Sequence, residues 1–142
     1  MTYYGFGNKT TILNNLQTSL SDVEGCNFID WQRMNFHGIR EQDYPGYFIN
    51  SLRVDRTKML TDLYKNSFSV SVVGFVLISE GEQLGTVLED WTSKAEAAIL
   101  ADQTMGNQAY STTIDYTVTD GGIRTPQGRF IMNLTVIYYS QS

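Results

Sequence analysis

Cysteine, histidine and proline are scarce in this chain: one Cys, one His and two Pro occur among 142 residues. A lone Cys26 excludes an internal disulfide, and thiols stay reduced in the cytosol, so folding in a reducing compartment is expected. One His and one Cys fall short of the N and S ligand set of a zinc site, and no Asp-rich loop matches a calcium site. No metal is therefore expected. No apolar run approaches the roughly 18 residues that a membrane span demands. Lys and Arg number 10 against 15 Asp and Glu, for a net charge of −5. That balance speaks against wrapping nucleic acid, whose affinity comes from clustered cations, but fits a channel that repels DNA. Residues 2–9 lack the basic and apolar regions of a secretory signal, so export is not expected. The acceptor patterns at Asn8-Lys9-Thr10 and Asn133-Leu134-Thr135 consequently carry no weight.

What is present is a core. With 42% hydrophobic and 13% aromatic residues the chain is too apolar for a disordered segment. Its length suits one domain, 1–142, which buries roughly 68–70% of its unfolded surface without a staple. No internal repeat or low-complexity tract occurs.

Asn8 or Thr10 can cap a helix whose Ile12, Leu13, Leu16, Leu20 and Val23 share one face, with Gly25 as its stop. A strand is expected over residues 28–34, then a polar loop over 35–46 containing Pro45. Residues 47–55 alternate again, with Phe48, Leu52 and Val54 on one face and Tyr47, Ile49, Ser51 and Arg53 on the other. The densely charged residues 53–65 are expected to connect two antiparallel strands outside the core, or to form a short helical turn through Met59, Leu60 and Leu63. The strongest strand, 67–78, changes from alternation with serines to a continuous apolar run, so one end is buried on both faces. Thr86-Val87-Leu88-Glu89 matches a capping box opening a second helix, with Leu88, Trp91, Ala95, Ala98 and Ile99 as its apolar stripe and Gly106-Asn107 as its stop. Residues 110–119 and 129–139 form a hairpin around Asp120-Gly121-Gly122. Its last strand turns Phe130, Met132, Leu134, Val136 and Tyr138 one way and Ile131, Asn133, Thr135, Ile137 and Tyr139 the other. The second face calls for cover by a helix or a neighbouring subunit. The expected fold is α/β of the α+β kind: a mostly antiparallel or mixed sheet of about four to five strands, two flanking helices, and a charged arm or hairpin.

Catalytic signatures are weak. His37 has no partner that spacing reveals, and Cys26 lacks a Cys-x-x-Cys mate and reads as a small buried hydrophobe. Gly5-Phe6-Gly7-Asn8-Lys9-Thr10 has Asn where a phosphate loop needs Gly before its Lys, and no strand can precede it. Glu80 with Glu82 and Glu89 with Asp90 read as solvated surface. Trp91 falls on the core stripe, while Trp31 could mark a ligand pocket. No catalytic residue, cofactor or enzymatic activity is expected.

The order of elements, ending in Asp120-Gly121-Gly122-Ile123-Arg124-Thr125-Pro126-Gln127-Gly128-Arg129-Phe130 and the following Ile-Met-Asn-Leu-Thr-Val-Ile-Tyr138, resembles the tail terminator proteins of long-tailed bacteriophages. The resemblance covers most of the chain through element order, length and the closing hairpin. It implies a structural virion protein of the tail and neck, assembled in the host cytoplasm as a hexameric ring. Such a ring caps the tail tube, ends its polymerisation and meets the head–tail connector, with DNA passing through the lumen without specific binding and no membrane involved. Candidate contact residues are Arg53, Asp55, Arg56 and Lys58 of the charged arm, His37, Arg40 and Glu41 of the loop, and Asp120, Arg124 and Arg129 of the hairpin. The rivals are another phage neck or tail-tube subunit, or a small α/β ligand-binding domain with a deep pocket.

Overall fold

A computed structural model describes residues 6–23, 26, 28–31, 45–77, 84–106, 108–119 and 127–141. Its elements run α1 (Lys9–Ser21), β1 (Phe28–Trp31), β2 (Gly46–Leu60), β3 (Leu63–Leu77), α2 (Leu84–Leu100), β4 (Ser111–Thr119) and β5 (Gln127–Ser140). The strands form one sheet in the order β1-β2-β3-β5-β4, antiparallel from β2 to β4, with β1 added in parallel against residues 46–49. This is the expected α+β architecture. Of the expected first strand, residues 28–31 are strand and 32–34 lie outside the described residues, as do loop residues 35–44, Gly25, Ile78 and the turn at 120–126.

Asn8, not Thr10, caps α1. Its backbone is extended, and its Oδ1 accepts from the Thr11 amide at 2.9 Å and the Thr11 hydroxyl at 3.0 Å. The helix closes at Asp22. Helix α2 begins at Leu84, two residues before the expected box, so Thr86 lies inside the helix with an exposed side chain. A cap motif marks a favourable start, but extending a nucleated helix by a residue costs little, so the motif does not fix the boundary. After α2, Met105 and Gly106 take positive φ (50° and 67°), and the Asp102 carboxylate accepts from the Gly106 amide at 3.0 and 3.2 Å. Gly106 fits this left-handed turn without steric cost. The turn seats Met105 in the core.

Both helices lie on one face of the sheet. Ile12, Leu16 and Leu20 of α1 and Leu88, Ala95 and Ile99 of α2 pack with Tyr47, Ile49, Phe68, Val70, Val72, Phe130, Met132, Leu134, Val136 and Tyr138. Of the two faces expected for β5, the one carrying Phe130, Met132, Leu134, Val136 and Tyr138 is buried beneath the helices, and the other, from Ile131 to Tyr139, is half-buried. Gly74 lies between Tyr47 on β2 and Phe130 on β5, and a Cβ there would overlap the Phe130 ring. Its hydrogen lets the Tyr47 and Phe130 rings meet edge to face, 6.3 Å between centroids. Trp91 meets Tyr47 from the helix side at 6.1 Å. On the opposite face Phe48, Val73 and Phe75 form a second buried cluster with Leu77 and Ile131 against it, so β3 is buried on both faces toward its end, as its apolar run predicts.

The described strands carry three register shifts, at Leu52, Met59 and Asp115; the two at Leu52 and Asp115 set which side chains face the helices. Ser51 pairs with Val70 and Arg53 with Ser69, which leaves Leu52 as the additional residue in β2. The side-chain period is two, so one inserted residue moves everything beyond it to the other face. Val54 therefore packs against the helix-side core with Tyr47 and Ile49, contrary to its expected place beside Phe48, and Leu52 is left 52% exposed. The second bulge, at Asp115 between Ile114 and Tyr116, turns Tyr116 and Val118 away from the helices and brings Thr117 toward them. Thr117 then donates to Glu96 of α2 at 3.2 Å.

The charged stretch 53–65 joins antiparallel β2 and β3 largely outside the core, as expected, but it does so as paired strand and not as a helical turn. Strand pairing continues through it to Leu60 opposite Leu63, with only Thr61 and Asp62 in the turn and Asp62 at φ 65°. Pairing with β5 from Tyr64 onward holds the β3 side of this extension extended, which a helical turn could not satisfy.

Candidate interaction surface

The far half of the β2–β3 hairpin carries the candidate surface. Along β2, residues 46–50 are buried and residues 51–60 are exposed except the half-buried Val54. Beyond Ile49 no described strand pairs with the outer side of β2. Leu52, Met59 and Leu60 are all more than half exposed, Leu60 by 68%. Four expected contact residues, Arg53, Asp55, Arg56 and Lys58, lie here. Arg53 and Asp55 share the face away from the helices and form an ion pair at 3.1 Å. Both side chains are more than 60% exposed, so the pair adds little stability.

Arg56 points to the other face. Its Nε donates to Asn66 Oδ1 at 3.2 Å, and its guanidinium lies 5.4 Å from the centre of the Tyr64 ring. Fully buried Asn66 in turn donates through Nδ2 to the Tyr138 carbonyl at 3.3 Å and to Ser140 Oγ at 2.9 Å. This cluster ties β2, β3 and β5 together where the apolar core ends. The Tyr138 hydroxyl titrates above the ordinary phenol range because burial penalises its anion, an effect that the Arg56 charge partly opposes. Spacing in the sequence hides this set, because its members stand 10 and 74 residues apart and meet only once the strands pair. The one available signal is an Asn on the apolar phase of β3.

The other candidates do not join this group. Arg129 is half-buried opposite Phe75, on β5. Thr135 is the β5 residue level with Arg53, so Arg129 sits about 20 Å away along the strand direction. His37, Arg40, Glu41, Asp120 and Arg124 lie outside the described residues, as do Glu80 and Glu82. The Trp31 side chain is likewise not among those described. Among the described residues no group of three His, Cys, Asp or Glu side chains is placed to hold a metal ion. No described helix is long and apolar enough to cross a membrane.

A groove of about 500 Å³ runs between the two helices, lined by Ser19, Asp22, Val23, Lys94, Ala97, Ala98, Ala101 and Asp102. It opens widely to solvent. Lys94, its cation, is held at 3.0 Å by Asp90 and lies over the Trp91 ring. Among the described residues, a convergent set of buried polar groups, which a small-ligand site requires, is not seen along this groove.

No family model matches the sequence, and no curated protein matches it. Solved structures with partial likeness include two proteins from Akkermansia muciniphila. One is the crystal structure of a core domain (14% identity, TM-score 0.33, 65% of this chain and 47% of that one). The other is a structure determined without its transmembrane region (15% identity, TM-score 0.32, 66% and 46%). The chain spans about half the length of each.

Proposed function

We propose that this chain is a non-catalytic structural subunit of the tail-terminator kind, forming a ring that caps a phage tail tube, ends its growth and docks to the head connector. The observation that carries the reading is the outer half of β2, which among the described residues is paired on one side only, with exposed apolar residues at both its ends. A protein working alone gains nothing from such an extension, and edge strands are ordinarily shortened or covered. In an assembly the same strand offers backbone donors and acceptors, charge for register, and Leu52, Met59 and Leu60 for burial. The net charge of −5 suits a lumen through which DNA slides without adhering.

The test is the solution mass of the purified chain by light scattering, followed by negative-stain imaging. A ring subunit gives a closed particle of about six chains, the number the resemblance implies. A single-chain mass at every concentration and salt tried would sink the reading. A closed particle that fails to bind the ends of tail tubes would leave the other structural role, a neck or tube subunit.

A further inference from the structure

We infer that neighbouring copies join edge to edge, the outer half of β2 of one copy pairing with β4 of the next. This rests on the ring reading and specifies its contact. Both strands have a free side among the described residues: β2 pairs outward only over 46–49, and β4 pairs only with β5. They lie on opposite sides of the sheet, so their union is heterologous and repeats from copy to copy, as ring closure needs. The strand directions also fit. β2, β3, β5 and β4 alternate, so β4 runs opposite to β2. Pairing the two between copies is antiparallel and keeps every copy's helices on one side of a continuous sheet.

Charge selects this union over its rivals. The β2 edge carries Arg53, Arg56 and Lys58 against the single carboxylate of Asp55. The β4 edge carries no Lys or Arg. It has exposed Asp115 on the face away from the helices and Glu96 on the helix side, where Thr117 donates to it. Joining β2 to β4 opposes unlike charges, whereas β2 to β2 or β4 to β4 opposes like ones. Each edge also offers apolar area, Leu52, Met59 and Leu60 on one and Tyr116 and Val118 on the other, all more than half exposed. Both bulges contribute here, since Leu52 is one extra residue and the other turns Tyr116 and Val118 outward.

Thr57 and Thr113 are exposed and lie on the face away from the helices, one on each edge. Thr57→Cys and Thr113→Cys, made in separate preparations of the full chain, are mixed and treated with a flexible bismaleimide long enough to span the offset of about 13 Å between their levels along the strands. Wild type, which retains Cys26, is the control. Covalent dimers are expected in the mixture and not in either variant alone. Lys58→Glu is expected to raise the dissociation concentration of the assembly about tenfold. Crosslinking of either variant by itself, or an uncrosslinked mixture that still has a multi-chain mass, overturns the edge pairing and leaves the ring reading standing. An uncrosslinked mixture with a single-chain mass overturns both.

Discussion

The two halves of the β2–β3 hairpin belong to the same strands and obey the same pairing, yet they are stabilised differently. In the inner half, Tyr47, Phe48, Ile49, Val72, Val73 and Phe75 are buried, some under the helices and some in the second cluster. In the outer half, β2 is exposed and stability comes from the backbone ladder, cross-strand pairs and the Asn66 cluster, each pair contributing roughly 0.2–1 kcal/mol. A strand can thus remain ordered well past the edge of its core, provided the next strand inward is itself held. Here β5 holds β3, and β3 holds β2. The inner half therefore specifies the fold, while the outer half is available for contact.

Mutations should separate the halves. The largest loss belongs to Phe130→Ala, which empties the centre of the inner half, where a fully buried ring meets Tyr47 over Gly74. Chemical denaturation should show a loss of about 3–5 kcal/mol. Gly74→Ala should follow at about 1–3 kcal/mol, because the added methyl overlaps that ring. The two changes share one space, so the double variant should cost less than the sum of the singles. Additive costs would mean that the ring and the glycine do not constrain each other.

Met59→Ser with Leu60→Ser is the contrasting case. Both side chains are mostly exposed at the hairpin end, so unfolding free energy should stay within about 0.5 kcal/mol of wild type per substitution. The multi-chain mass that the proposed ring predicts should nevertheless fall. A variant that loses stability and keeps its assembly would reverse the roles assigned to the two halves.

How far these halves were legible in the sequence follows from the same physics. The inner half was readable because burial on one or both faces imposes a period: Phe130 to Tyr138 alternate, the apolar end of β3 is continuous, and the α1 and α2 stripes repeat at helical spacing. The outer half has no such period, since beyond Ser51 only Val54 of β2 is even half-buried, and its charges read as a connector outside the core. Bulges were illegible for a different reason. One extra residue at Leu52 or Asp115 leaves composition and propensity unchanged, and only the partner strand reveals that two residues face one. The cluster of charged contact candidates on β2 was found by its charge. The exposed side of β4, which the proposed contact uses, was not legible, because β4 reads as an ordinary alternating strand until its bulge turns Tyr116 and Val118 outward.

The smallest effect concerns Tyr47, where the inner half holds a polar group at a disadvantage. Its hydroxyl is buried and finds no hydrogen-bond partner among the described residues. Burial, and secondarily the charge on Cys26 when that thiol is ionised, raise its pKa above the ordinary value of 10.0. The folded state therefore favours the neutral phenol. Its contribution is fully present below pH 10.0 and is lost as pH rises above that value toward the raised folded-state pKa. Tyr47→Phe removes the unpaired hydroxyl and the titration together while keeping the ring against Trp91 and Phe130. At neutral pH the variant should match wild type or gain up to about 1 kcal/mol, and one pH unit above the free-tyrosine value its advantage should widen. Urea unfolding at the two pH values measures both. A neutral-pH loss greater than about 1 kcal/mol would mean that the hydroxyl has a partner after all, and that the inner half is held by a buried hydrogen bond as well as by packing.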